Sequence, residues 1–241
     1  MQKHLLAVVL MFPLLAQAGA EITIGTLYDY LDGGKSMLLK RVRNSGDAPA
    51  FVKVSVAELI YDASGTAREV AVNIPDNSRV ETRALVASPA RLIVPAGGMQ
   101  TLRVLYMGKR DKERYFRLRF EPVLPQQNDA FGVSADDRER LSAGLNSLAG
   151  YDGLLFVRPA QPRYATRIDP LGASLRIKNN GNSTVVLDNF HDCSADGKQC
   201  EVSSRHHVLP QSVRLFERKA GRLYYFDLIE GDKTQQIELK P

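Results

Sequence analysis

Residues able to do chemistry are few in this chain, and their spacing does not suit catalysis. Four histidines and two cysteines occur in 241 residues, and His4 lies in an apolar leader. No G-x-S-x-G elbow, P-loop, G-x-G-x-x-G or H-E-x-x-H is present, so the common arrangements for a serine nucleophile, a nucleotide phosphate or a catalytic zinc are missing. His206 and His207 are adjacent; on a strand they face opposite sides and cannot easily serve one metal. Cys193 and Cys200 enclose six residues. In a reducing compartment such a pair suggests half of a zinc site. In an oxidising one it closes a local disulfide across a hairpin, stabilising by roughly 2–3 kcal/mol. The C-x-x-C spacing of a redox-active pair is absent. The expectation is a protein that is not an enzyme and holds neither metal nor cofactor.

The elements around these residues read as strands. Phe51–Ala57, Leu102–Tyr106, Tyr115–Phe120 and Leu223–Phe226 are rich in β-branched, aromatic and alternating apolar positions. Gly- and Pro-containing breakers separate them at Asp32-Gly33-Gly34, Asn44 to Pro49, Pro95 to Gly98 and Asn179 to Asn182. Asp136 to Ala149 is ambiguous, because Leu141, Leu145 and Leu148 also fit one helical face. A weak internal repeat runs through the chain. Val42-Arg43-Asn44-Ser45-Gly46-Asp47-Ala48 is similar to Ile177-Lys178-Asn179-Asn180-Gly181-Asn182-Ser183, and Val94-Pro95 and Leu209-Pro210 follow in the same order. Frequent short strands with a repeated turn predict an all-β chain of two Ig-like sandwiches. The boundary is expected at the prolines of Arg158-Pro159-Ala160-Gln161-Pro162, giving domains 21–158 and 159–241.

Composition sets the compartment and limits the partners. Lys3 and His4, the apolar run Leu5–Leu15 and the small residues Ala16 to Ala20 have the form of a secretory signal. The run is too short to span a bilayer core of roughly 30 Å. Residues 1–20 are therefore expected to be removed after export, leaving 221 residues with a net charge of +4. A net charge of +5 on the full chain is too small to imply nucleic acid. No second apolar run is long enough for membrane insertion, and 44% hydrophobic with 24% charged residues is a globular balance.

Several segments, in order, resemble the periplasmic pilus-assembly chaperones of the chaperone–usher pathway (PapD-like), in particular the alternate branch serving the common pilus and colonisation-factor fimbriae. Lys112-Glu113-Arg114-Tyr115-Phe116-Arg117-Leu118-Arg119-Phe120 is similar to that branch's K-E-x-Y-x-R-hydrophobic-x-F strand. Leu92-Ile93-Val94-Pro95-Ala96-Gly97, followed by Leu102-Arg103-Val104, resembles its L-x-L-P-A-G turn and strand. Leu155-Phe156-Val157-Arg158-Pro159 resembles the F-Y-R-P segment that ends the first domain. Asn179 to Asn182, with Cys193 and Cys200 after it, fits the branch's paired-cysteine hairpin.

The resemblance implies two Ig-like domains in an L or boomerang. It implies a periplasmic location and, as partners, pilin (fimbrial) subunits and an outer-membrane usher. The chaperone lends an incomplete subunit an edge strand. By resemblance the donor lies in Leu141 to Val157, with Leu141, Ala143, Leu145, Ser147, Ala149 and Tyr151 on one fairly apolar face. Gly144, Gly150 and Gly153 weaken it as a preformed strand. A basic pair should grip the subunit's terminal carboxylate. Tyr28 and Leu154 fall where the conventional branch has those cations, so Lys40 and Arg117 are the expected anchor, with Arg41, Arg43 and Arg119 in reserve. Lys40 shares a strand face with apolar Leu38 and Val42, and a lysine there needs a partner. Glu113 and Arg158 are expected to form the ion pair fixing the interdomain angle. In the free state such a chaperone could cap itself as a dimer. The rival expectation is an exported Ig-like structural or adhesive subunit. The short Glu21 to Gly25 stretch runs straight into a strand instead of forming an insertion arm, which argues against it.

Overall fold

The computed structural model describes residues 19–62, 65–72, 84–126, 131–134 and 149–240. Within them the chain is all-β, with seventeen strands in four sheets and two separate cores. No described helix is long and apolar enough to cross a membrane.

The first sandwich packs the sheet β1-β3-β8-β6 on the sheet β2-β10-β9-β4-β5, with β7 paired to β4; here β5 is Ala67–Ala71, β6 Leu85–Ser88 and β7 Arg91–Val94. Its main strands are β3 (Met37–Asn44), β4 (Ala50–Tyr61), β8 (Met99–Tyr106), β9 (Arg114–Pro122) and β10 (Tyr151–Val157). Alternation explains why these residues form strands with one buried face. Leu102, Val104 and Tyr106 of β8 and Phe116, Leu118 and Phe120 of β9 point inward, and the residues between them are at least partly exposed. The short strands β1 (Ile22–Thr23) and β2 (Tyr28–Leu31) belong to opposite sheets, so the chain crosses the sandwich edge between them.

The second sandwich packs β11-β12-β15 on β14-β13-β16-β17. These are β11 (Thr166–Leu171), β12 (Ser174–Asn179), β13 (Val185–Ser194), β14 (Ser204–Val208), β15 (Val213–Glu217), β16 (Arg222–Glu230) and β17 (Lys233–Leu239). Its core gathers Leu175, Ile177, Leu187, Phe190, Tyr224 and Phe226.

The sequence repeat has a physical cause. Asn44 and Asn179, both fully buried, close the same corner in the two sandwiches. Asn44 Nδ2 donates to Ala48 O (2.7 Å) and Val94 O (3.2 Å), and its Oδ1 accepts from Gly46 N (3.1 Å) and Glu21 N (3.0 Å). Asn179 Nδ2 donates to Ser183 O and Val208 O (both 2.9 Å), and its Oδ1 accepts from Gly181 N (2.8 Å). A buried amide that uses both ends is held, and holds the turn, at each of these points. The glycine two residues on is also required. A Cβ at Gly46 would lie 2.7 Å from Glu21 N, and one at Gly181 would overlap the backbone of Arg163.

Cys193 and Cys200 are joined in a disulfide. It closes a turn in which Ser194 N donates to Gln199 O (2.8 Å) and Gly197 N to Ser194 O (2.8 Å). His191 lies close enough to complete a three-ligand cluster with the two sulfurs, but sulfurs bonded to each other are not thiolate ligands.

Candidate functional site

The outer face of the β2-β10-β9-β4-β5 sheet turns toward the second sandwich. Register places its side chains. Leu154 stands opposite Arg117 and Phe156 opposite Tyr115 on β9, while on the other side Leu154 pairs with Tyr28 and Phe156 with Tyr30. These residues, with Arg119 and Asp152, share one face because paired positions project alike. His207 of β14 meets that face. Its ring stacks on Phe156 at 4.7 Å, leans on Tyr28 at 4.5 Å, and Nε2 shares a 2.6 Å hydrogen bond with the Tyr30 hydroxyl. Burial, with the nearby Arg205 and Arg214 charges, pushes the His207 imidazole down to about 4, and burial pushes Tyr30 up to about 12. Both groups are therefore neutral at pH 7. His206 faces the other way, between Phe190 and Phe216.

β10 runs along β9 for its whole length but pairs with β2 only over Leu154–Val157. Among the described residues, no strand covers the other side of Tyr151–Gly153. Among the described residues that side is an unpaired edge, next to the cleft face. Most of the expected donor positions, Leu141, Ala143, Leu145 and Ser147, lie outside the described residues. Ala149 is exposed. Tyr151 differs from expectation. It packs against the first core, in phase with buried Gly153, Leu155 and Val157, so its ring is directed into the chain's own sandwich.

Lys40 and Arg117 are not brought to one point. Lys40 alternates in phase with buried Val42 and Asn44, so it points between the sheets and is only 3% exposed. Its Nζ donates to Asp29 Oδ2 at 2.6 Å and to Thr26 O, clamping the crossover between β1 and β2. Asp29 pairs in register with buried Leu155 and therefore also faces inward. Arg117 projects from the opposite side of its sheet, into the cleft. It is partly exposed and pairs with Glu69 and, at 3.6 Å, with Asp152. Arg119, on the same face, pairs with Glu69 at 2.6 Å and Asp152 at 3.7 Å. Arg41 and Arg43 are exposed on the far face of the other sheet.

The expected Glu113–Arg158 ion pair is corrected. Arg158 Nη1 instead bonds Asp32 Oδ1 at 2.8 Å, and its guanidinium lies over Tyr30 and Tyr164. Glu113 crosses to the second sandwich. Its two carboxylate oxygens accept from Thr184 N at 3.0 and 2.9 Å, and one also accepts from Thr184 Oγ1. Burial pushes the Glu113 carboxyl up, partly countered by the Thr184 hydrogen bonds and the Arg158 charge. Arg110 completes the joint by donating to Asp32 O (3.0 Å) and Arg158 O (2.9 Å). Sequence reasoning missed Asp32, Arg110 and Thr184. Only the Asp32-Gly33-Gly34 turn signalled a close approach there, where a Cβ on Gly33 would meet the carbonyls of Pro159 and Ala160.

No protein-family model matches the chain. It is 27% identical over 231 residues to the probable fimbrial chaperone EcpB of Klebsiella pneumoniae, covering 92% of this chain and 95% of that one. It is 27% identical over 241 residues to EcpB of Escherichia coli K12, covering 97% and 98%. Among solved structures, it resembles the class 5 fimbriae chaperone CfaA with 20% identity and a TM-score of 0.52, covering 92% of this chain and 100% of that one. It also resembles a chain of the Salmonella enterica complex of SafA pilin with the SafB chaperone, with 15% identity and a TM-score of 0.55, covering 92% and 96%.

Proposed function

We propose that this chain, which resembles the fimbrial chaperones of the chaperone–usher pathway over nearly its whole length, is itself a chaperone for fimbrial subunits. The observation that carries the reading is end-to-end similarity to EcpB, together with a fold shared with CfaA and with a chain of the complex of SafA pilin and the SafB chaperone. Fimbrial chaperones are not enzymes and work in the periplasm. The chain then acts by binding and shape: it completes a subunit, keeps it from polymerising early, and delivers it to an outer-membrane usher.

The cleft supports a mechanism for binding. An incomplete Ig-like subunit has unpaired backbone groups along its open groove. The side of Tyr151–Gly153 that no described strand covers can extend pairing into that groove. Arg117 lies across from Leu154 on the same face, next to that edge. A cation there can hold a terminal carboxylate and fix the register of the added strand, since a shift by one residue would turn every side chain over. Lys40 supports the site indirectly: through Asp29 it holds β2 against β10.

The test is periplasmic co-expression with a fimbrial subunit, followed by purification on a tag carried by this chain. A soluble 1:1 complex is expected, and Arg117→Glu should lower its yield at least tenfold while leaving the free protein folded. If no subunit is protected, the chaperone reading fails; if Arg117→Glu captures subunit as well as wild type, only the anchor fails.

A further inference from the structure

Arg117 and Arg119 occupy alternate positions of β9 and reach the same face. Glu69 comes from β5 (Ala67–Ala71), beyond β4, and bridges them: one carboxylate oxygen accepts from Arg117 Nη1 and the other from Arg119 Nη2, the latter at 2.6 Å. Asp152 of β10 flanks the pair from the opposite side, 3.6 and 3.7 Å from the two Nε atoms. Two cations thus sit between two anions. One carboxylate spanning two guanidiniums is also how a pair of arginines would grip a chain terminus.

The two anions are not equivalent. Asp152 stands directly opposite Arg119 in the paired part of the sheet. Glu69 lies on the edge strand β5, paired to β4 opposite Leu59, and reaches the arginines across β4; its side chain is 31% exposed against 49% for Asp152, so the length of that reach, and not exposure, sets it apart. Arg117 Nε is buried and makes no hydrogen bond, facing Asp152 Oδ2 only at 3.6 Å, so the clamp keeps one N–H that Glu69 does not engage.

We propose that Glu69 is a built-in placeholder: it fills the Arg117–Arg119 clamp in the free protein and is displaced by the terminal carboxylate of a bound chain, while Asp152 stays to hold the guanidiniums. The inference rests on Arg117 being the anchor. Charge balances in the exchange, since one carboxylate replaces another between the same two cations. The placeholder acts as a selectivity device. A tethered carboxylate has a high effective concentration at the clamp. Stray small carboxylates therefore compete poorly, and a chain that also pairs along the β10 edge has the extra free energy needed to displace it. The arginines are kept aligned in the meantime, which lowers the ordering cost on binding.

The test follows the side-chain Nε–Hε signals of Arg117 and Arg119 by NMR in the full chain, titrated with N-acetylglycine and, as control, N-acetylglycinamide. Glu69→Gln and Glu69→Ala are both expected to shift the N-acetylglycine midpoint down by roughly tenfold relative to wild type, with no response to the amide. Equal midpoints in wild type and variants overturn the placeholder and leave the clamp. Absence of any carboxylate-dependent shift in all three proteins overturns the clamp as well. Subunit capture on co-expression is read separately, so a responsive clamp in a protein that protects no subunit would sink the chaperone reading and leave the carboxylate site standing.

Discussion

The two sandwiches share a corner and differ one turn of the pattern upstream of it. Four residues before Asn44 stands Lys40, buried and paired with Asp29; four residues before Asn179 stands Leu175, buried among apolar neighbours. One position in the same repeat thus carries an ion pair in the first domain and a leucine in the second. Among the described residues the second domain has no crossing strand to secure there, whereas in the first the Lys40–Asp29 pair fixes the chain between β1 and β2. A buried ion pair adds little net stability over a leucine, but it specifies where a segment sits.

The largest expected effect breaks that contrast. Lys40→Met leaves Asp29 inward-facing without its cation and should cost about 3–5 kcal/mol. Because the two domains need not unfold together, the loss is best read by hydrogen exchange in β3 and β10 against β12 and β13. Lys40→Leu combined with Asp29→Leu imports the second domain's solution and should recover most of the loss. If the double variant stays as unstable as the single one, the ion pair is not what Lys40 contributes.

Next come the corners themselves. Asn44→Ala and Asn179→Ala each orphan buried backbone groups and should cost roughly 2–4 kcal/mol. Asn44 should cost more, because it also ties down Glu21. Equal losses, measured by urea unfolding with exchange readout, would remove that difference between the domains.

The disulfide belongs to the second domain alone. Cys193→Ser with Cys200→Ser should lower the stability of that domain by roughly 2–3 kcal/mol and leave exchange in the first unchanged.

The smallest expected effect lies in the contact between the domains. His207 is held neutral, with its folded pKa depressed from 6.5 to about 4. The unfolded or separated state therefore binds the proton more readily in that interval. The stability this group contributes is present above pH 6.5 and is lost as pH falls toward 4, on the order of 1–2 kcal/mol. His207→Phe should remove this pH dependence from the interdomain contact, read as the spread of domain orientations by small-angle scattering between pH 7 and 4.5. Glu113, with its carboxyl pushed up, acts with the opposite sign, so the two are separated by comparing His207→Phe with Glu113→Gln.

Much of this was legible in the chain. Alternation and β-branched or aromatic residues located β4, β8, β9 and β16 because one buried face leaves a period of two. The Asn-x-Gly repeat was visible because both corners demand an amide and a residue without a Cβ. The cysteine pair was legible from its short spacing. The faces of Lys40 and Arg117 were each readable within their own strands, but not that the two sheets point them apart. Tyr151 was assigned to a donor face because its parity matched Leu141 and Leu145, whereas in β10 that parity continues into Leu155 and Val157 of the core. The Arg158–Glu113 pair is what the family resemblance implies, whereas the Arg158 guanidinium bonds Asp32, which the Gly33 turn brings beneath the linker.

The sequence by itself determined the strands, the repeated corner and the cysteine pair, because each depends on residues a few positions apart and on burial with a short period. Which charge meets which was decided only by the tertiary structure. Glu69, Arg117 and Asp152 come from three strands separated by up to 83 positions, and Glu113 finds Thr184 across the domain joint. Ion pairs depend on distances of a few ångströms between side chains, and sheet order, register and domain contact set those distances where local pattern cannot.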